Sequence, residues 1–139
     1  MAMRYMLDTN ILGYFIQGTS AHLLTRMEQA LRERTAAISI ITLAETRYGQ
    51  RLLARTDRRQ PAIDQLLDKL PALPWGLPAA EHYAAIKAHL RQAGTPIGEL
   101  DTQIAAHALA EGLTLVTHNR RHFERIEALA VEDWREDAG

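Results

Sequence analysis

The chain contains no cysteine, which excludes a disulfide framework and any thiolate metal site. No window approaches the ~20 apolar residues that a bilayer-spanning helix needs. The apolar start Tyr5-Met6-Leu7 runs at once into Asp8, unlike a secretory leader, so a cytoplasmic location is expected. Neither a Gly-rich phosphate loop nor a G-x-S-x-G elbow is present, and H-E-x-x-H is missing too. Nucleotide hydrolysis and serine-type catalysis therefore lack support, as does metalloprotease chemistry of the H-E-x-x-H kind. With no repeat, low-complexity tract or flexible linker, the 139 residues, 47% hydrophobic, are expected to form one domain over 1–139 around a single core.

Charge is distributed unevenly. The net value is −1, but residues 124–139 hold six acids against Arg125 and Arg135, leaving 14 basic and 11 acidic groups in the preceding 123 residues. The body is thus mildly basic, which permits a polyanionic partner without demanding one.

Short apolar runs alternate with helix-length amphipathic segments, the pattern of βα units and a parallel sheet. A strand is expected over residues 4–7, with a helix beginning at Asn10 and a second, capped by Thr19-Ser20, reaching about Arg34. Residues 36–41 form a near-continuous β-branched run, as in a strand buried on both faces. Thr42 then caps a helix, and Pro61 opens another with Ile63, Leu66, Leu67 and Leu70 on one face. The Pro-rich stretch 71–78 reads as loops around a short strand near 73–75. A helix follows from Pro78 to about Ala93, stopped by Gly94, and Asp101 opens one ending at Gly112. Strands are expected over 113–117 and near 130–132.

Three acids, Asp8, Glu45 and Asp101, each sit where an apolar segment gives way to a helix start. In a parallel α/β sheet such positions gather at the carboxyl ends of the strands, where ligands bind. Each acid also has a local explanation. Thr42-Leu43-Ala44-Glu45 fits a capping box, and Asp101 fits an N-cap. Asn10 can cap the first helix unaided, which leaves Asp8 free. A phosphatase of the haloacid-dehalogenase kind also ends its first strand in Asp, but it needs a second acid where this chain has Asn10. A non-catalytic binding module would show no metal dependence.

Four ordered motifs over nearly the whole chain give a more specific reading. They are Met6-Leu7-Asp8-Thr9-Asn10-Ile11, then Ile41-Thr42-Leu43-Ala44-Glu45 with Tyr48-Gly49, then Gly94-Thr95-Pro96-Ile97-Gly98 leading to Asp101 and Ile104-Ala105-Ala106-His107-Ala108, and finally Leu115-Val116-Thr117-His118-Asn119 with Phe123 and the closing Glu132-Asp133-Trp134. Together they resemble the PIN-domain ribonucleases, and within them the VapC toxins of type II toxin–antitoxin pairs. The resemblance implies a three-layer α/β/α fold with a central parallel sheet of about five short strands. It implies an endoribonuclease dependent on Mg²⁺, or on Mn²⁺, that leaves a 5′-phosphate and a 3′-hydroxyl on RNA, with transfer RNA the expected substrate. A cognate VapB-like antitoxin and a homodimer follow as expected partners, and the early apolar residues Leu12, Tyr14, Phe15 and Ile16 are a contact surface unless the core claims them.

On this reading Asp8, Glu45 and Asp101 are catalytic. Asp8 and Asp101 are metal ligands, and Glu45 is a ligand directly or through water. Thr9, Thr117 and Asn119 are expected to orient carboxylates, water or phosphate. Many members of the family carry a fourth acid where Asn119 stands, and an amide is a poorer ligand for a hard cation, so one well-occupied metal site is expected, with any second ion dependent on substrate. Arg120 and Arg121 are expected RNA-phosphate contacts. Arg47, Arg51 and Arg55 recur every four residues and, extended by Arg58 and Arg59, form either a phosphate-binding stripe or a solvated helix face paired with acids. His118 and His122 are four apart and would share a helix face if both were helical, which leaves a zinc site open, while His107 and His89 read as core or helix-surface residues.

Overall fold

A computed structural model describes residues 2–135. Five strands, β1 (Tyr5–Leu7), β2 (Ala36–Ser39), β3 (Ala72–Leu73), β4 (Thr114–Val116) and β5 (Val131–Glu132), form one sheet in the order β3-β2-β1-β4-β5. Every pairing is parallel, with Tyr5 opposite both Ala36 and Thr114, and Leu7 opposite Val116. Among the described residues seven helices flank the sheet: α1 (Thr9–Gln17), α2 (Ala21–Glu33), α3 (Ile40–Leu52), α4 (Arg59–Asp68), α5 (Leu77–Gln92), α6 (Glu99–Glu111) and the short α7 (Arg120–Phe123).

Alternation along the central strands builds two cores. Side chains on a strand point to opposite faces in turn, so Tyr5 and Leu7 join Leu12, Leu23, Met27, Leu66 and Leu70 under α1, α2 and α4. Met6, lying between them, joins Ile86, Leu90, Ile104 and Phe123 under α5 and α6. Leu115 and Val116 divide in the same way. The three layers are those expected from the sequence, with two cores where one was expected.

Several boundaries differ from expectation, each for a local reason. The strand expected over 36–41 stops at Ser39, because its hydroxyl accepts the Ile41 amide and caps α3 three residues before Thr42. The Asp101 helix starts at Glu99 behind Gly98, so Asp101 lies inside the first turn and is no N-cap. Asp8, rather than Asn10, caps α1, accepting the Ile11 amide at 3.0 Å. Three helices, α1, α2 and α6, end on left-handed C-caps: Gly18, Arg34 and Gly112, with φ of 73°, 57° and 67°.

Candidate active site

In a parallel βα fold the helices run back against the strands, so strand carboxyl ends and helix N-termini share one edge. That edge collects the three acids. Asp8 follows β1, Glu45 stands in the second turn of α3 beyond β2, and Asp101 is in the first turn of α6.

Asp8 is buried, and burial drives its carboxyl up to about 6. The neighbouring Thr117 hydroxyl and the Ile11 amide oppose that rise, while the charges of Asp101 and Glu45 add to it. The two remote acids are therefore close enough for their fields to act on Asp8. Asp101, half-buried, is also raised by desolvation, and the charge of His122 opposes it. No Arg or Lys forms an ion pair with Asp8, Glu45 or Asp101 among the described residues.

Glu45 is held from the side. The Thr9 hydroxyl donates to its Oε1 at 2.6 Å and lies 3.3 Å from the Thr42 hydroxyl. This overturns the capping-box reading, because Thr42 is buried within α3 and Ser39 does the capping. Thr9 thus joins the helix after β1 to the helix after β2. A second link comes from His107, buried on α6, whose Nδ1 is 2.8 Å from Ser39 Oγ at the start of α3.

The remaining sequence-derived residues divide. Thr117 is fully buried beside Asp8 and accepts the Asn119 amide at 3.0 Å. The Asn119 side chain meets His122 Nδ1 at 2.7 Å and so touches the group whose charge acts on Asp101. Arg120 is paired with Glu124 at 3.3 Å, whereas Arg121 is exposed with no ion-pair partner among the described residues. The arginine stripe is broken. The α3 helix ends at Leu52, so Arg55 and Arg58 lie in the following turn, Arg47 pairs with Asp64, and Arg59 pairs with Asp57. The zinc pairing fails as well, since His118 precedes α7 and is bound to Asp133, away from His122. The sequence analysis put His118 and Asp133 in the same last motif but not in contact, because 15 positions of chain separate them.

Two depressions meet this edge. A cleft of about 220 Å³ is walled by Asp8, Asn10, Tyr14, Thr117, His118 and Asn119. A larger groove of about 490 Å³ between α1, α3 and α4 is lined by Leu12, Ile16, Ile63, Leu66 and Leu67, and it ends at Thr9, Asn10 and Glu45. Among the described residues no three Asp, Glu or His side chains close into a ready metal-ligand cluster. The donor chemistry nevertheless fits a hard divalent cation. The donors are carboxylate oxygens, one of them buried, and among the described residues no Arg or Lys pairs with them. Mg²⁺ keeps several waters and needs only one or two carboxylates, so a shared edge suffices where a closed shell is absent.

The PIN domain matches residues 5–129. The chain is similar to Ribonuclease VapC2 of Haemophilus influenzae, at 41% identity over 132 residues, covering 95% of this chain and 98% of that protein. It is 36% identical, with the same coverage, to the tRNA(fMet)-specific endonuclease VapC of Salmonella typhimurium. Among solved structures, the DNA-bound VapBC of Salmonella typhimurium aligns with a TM-score of 0.86 at 36% identity, over 95% of this chain and 98% of that one. VapBC2 of Rickettsia felis bound to a promoter DNA fragment aligns at 0.85 and 36%, over 96% and 99%.

Proposed function

The chain belongs to the PIN-domain family, in its VapC branch, and from that premise we propose that it is a divalent-metal-dependent endoribonuclease toxin restrained by a cognate VapB-like antitoxin. The observation that carries the reading is Asp8, a buried carboxylate raised to about 6, acted on by two further acids and lacking any basic partner. Uncompensated buried negative charge is costly unless a cation neutralises it.

Asp8 and Asp101 hold the ion, and Glu45 reaches it directly or through water. When bound, Mg²⁺ or Mn²⁺ lowers the pKa of a coordinated water and offsets charge on a phosphate oxygen. The chain's own residues do the positioning. The Ile11 amide and the Thr117 hydroxyl fix Asp8, and Thr9 occupies Glu45 Oε1, leaving Oε2 for the ion or its water. Asn119 and His122 steady the Asp101 side. Arg121, without an ion pair among the described residues, would follow an RNA phosphate, whereas Arg120 must first leave Glu124. Hydrolysis leaves a 5′-phosphate and a 3′-hydroxyl. With three carboxylates and Asn119 in place of a fourth, one ion is held tightly and a second depends on substrate phosphate.

The apolar groove ending at Glu45 suits an apolar antitoxin segment that runs toward the acids. Tyr14 and Ile16 are shared between the core and that groove, whereas Phe15 packs against the core without lining it. Exposed Tyr48 and Leu52, one turn apart on α3, suit a homodimer contact. The relative whose name specifies tRNA(fMet) makes an initiator transfer RNA the first substrate to try. Purified protein incubated with total transfer RNA should cleave it with Mg²⁺ or Mn²⁺, and should stop on chelation and on adding the antitoxin. Cleavage that persists after chelation would remove the metal site from the reading, and an intact RNA pool under all conditions would remove the nuclease.

A further inference from the structure

We propose that His118 is a substrate contact of this site, accepting a hydrogen bond from a ribose 2′-hydroxyl of the RNA, and that Asp133 holds it in that role. The inference rests on the ribonuclease reading above. His118 Nδ1 is 2.9 Å from Asp133 Oδ2. The Asp133 side chain is only 1% exposed, and its other oxygen accepts the Arg135 amide at 2.9 Å. The carboxylate is thus sealed in and occupied on both oxygens.

A carboxylate only accepts, so the shared hydrogen sits on Nδ1, and in the unprotonated imidazole that leaves Nε2 as an acceptor. The imidazole is 38% exposed, forms part of the wall of the Asp8 cleft, and has no hydrogen bond at Nε2 among the described residues. Tyr14, which lines the same cleft, packs against the His118 ring at 5.6 Å and 84°. Merely joining the turn after β4 to the segment after β5 would not require the imidazole to line a cleft. What fits that nitrogen is a donor. Among the groups that every nucleotide carries whatever its base, phosphate diesters and DNA sugars offer none, whereas each RNA ribose offers a 2′-hydroxyl, the group by which proteins distinguish the two polymers.

The test uses the full chain, Mn²⁺ and a short RNA containing the mapped cleavage site, with analogues carrying a single 2′-deoxyribose at each nucleotide around the scissile bond. The wild type should lose about three- to tenfold in kcat/KM at one such position. His118→Ala should lose the same factor on all-ribose RNA and nothing further at that position. Asp133→Asn can donate to Nδ1 and so turn Nε2 into a donor, and it should behave like His118→Ala. Unchanged Mn²⁺ affinity and melting temperature in both variants assign the loss to substrate contact. The proposal is overturned if the wild type is insensitive to every deoxy substitution, if His118→Ala cuts all-ribose RNA normally, or if it retains the full deoxy loss at that position. Absence of any metal-dependent cleavage by the wild type would instead bring down the ribonuclease reading, and this contact with it.

Discussion

Two flanks of one helix start show how the same residue chemistry is put to opposite uses. On the outer flank of α6, Glu99 meets Lys87 at 2.9 Å and the Tyr83 hydroxyl, and these partners hold its carboxyl below the usual range. On the inner flank, two residues on, Asp101 has no basic ion-pair partner and is raised by desolvation. Asp57 and Asp64 resemble Glu99, each paired with an arginine and lowered. Asp8 resembles Asp101. Acids completed by the protein tie elements together, and acids left incomplete at the sheet edge await something from outside.

The sharpest way to break that contrast is Asp8→Asn, which keeps the capping oxygen but removes the charge. Cleavage should fall by about a thousandfold or more, consistent with loss of several kcal/mol of metal-assisted stabilisation, in a rate assay with saturating Mn²⁺. Full activity would place Asp8 with the structural acids. Next comes the neighbouring pair. Asp101→Asn should lower cleavage by about a hundredfold, while Glu99→Gln should leave it within about twofold, since an exposed ion pair contributes little. A reversal of those two results would invert the assignment of the flanks. Thr9→Val deprives Glu45 of its 2.6 Å bond and should cost about tenfold, as loss of a ligand-orienting contact does. Thr9→Ser should recover it, and no change in the Mn²⁺ dependence of cleavage would free Glu45 from this role.

The smallest effect is on stability, and its sign is diagnostic. Asp8 binds its proton more tightly in the folded state, at about 6 against 3.8 unfolded. Between those values the unfolded chain ionises first, so metal-free stability falls as pH rises from about 4 to about 6, by up to about 3 kcal/mol. Asp8→Asn should therefore stabilise the metal-free protein by about 1–3 kcal/mol at pH 7 and by nothing near pH 3.5, measured by denaturant unfolding. Mg²⁺ should raise the melting temperature of the wild type and not of the variant. A wild type whose stability is flat across that window would show that Asp8 is not desolvated.

The order of strands and helices was legible because it follows from apolar runs and capping residues, which act over a few positions. The misread boundaries are those where two residues compete for one role. Ser39 and Thr42 can both cap a helix, as can Asp8 and Asn10, and the choice depends on where the preceding strand stops pairing. The arginine stripe failed for a related reason: a period of four carries meaning only while the helix continues, and α3 ends before Arg55. Likewise His118 and His122 share no face, because α7 begins only at Arg120.

By itself the sequence determined the alternation that makes a parallel sheet with two covered faces, and the placing of Asp8, Glu45 and Asp101 near element junctions at its carboxyl edge. Those are properties of short segments, set by side-chain period, capping and strand length. The tertiary structure alone decided which acids receive a partner. Lys87 reaches Glu99, Arg47 reaches Asp64, Thr9 reaches Glu45 and Asp133 reaches His118 across 12 to 36 positions of chain. Such contacts depend on the packing of whole helices, and desolvation of a carboxylate is a property of everything around it rather than of its neighbours in sequence.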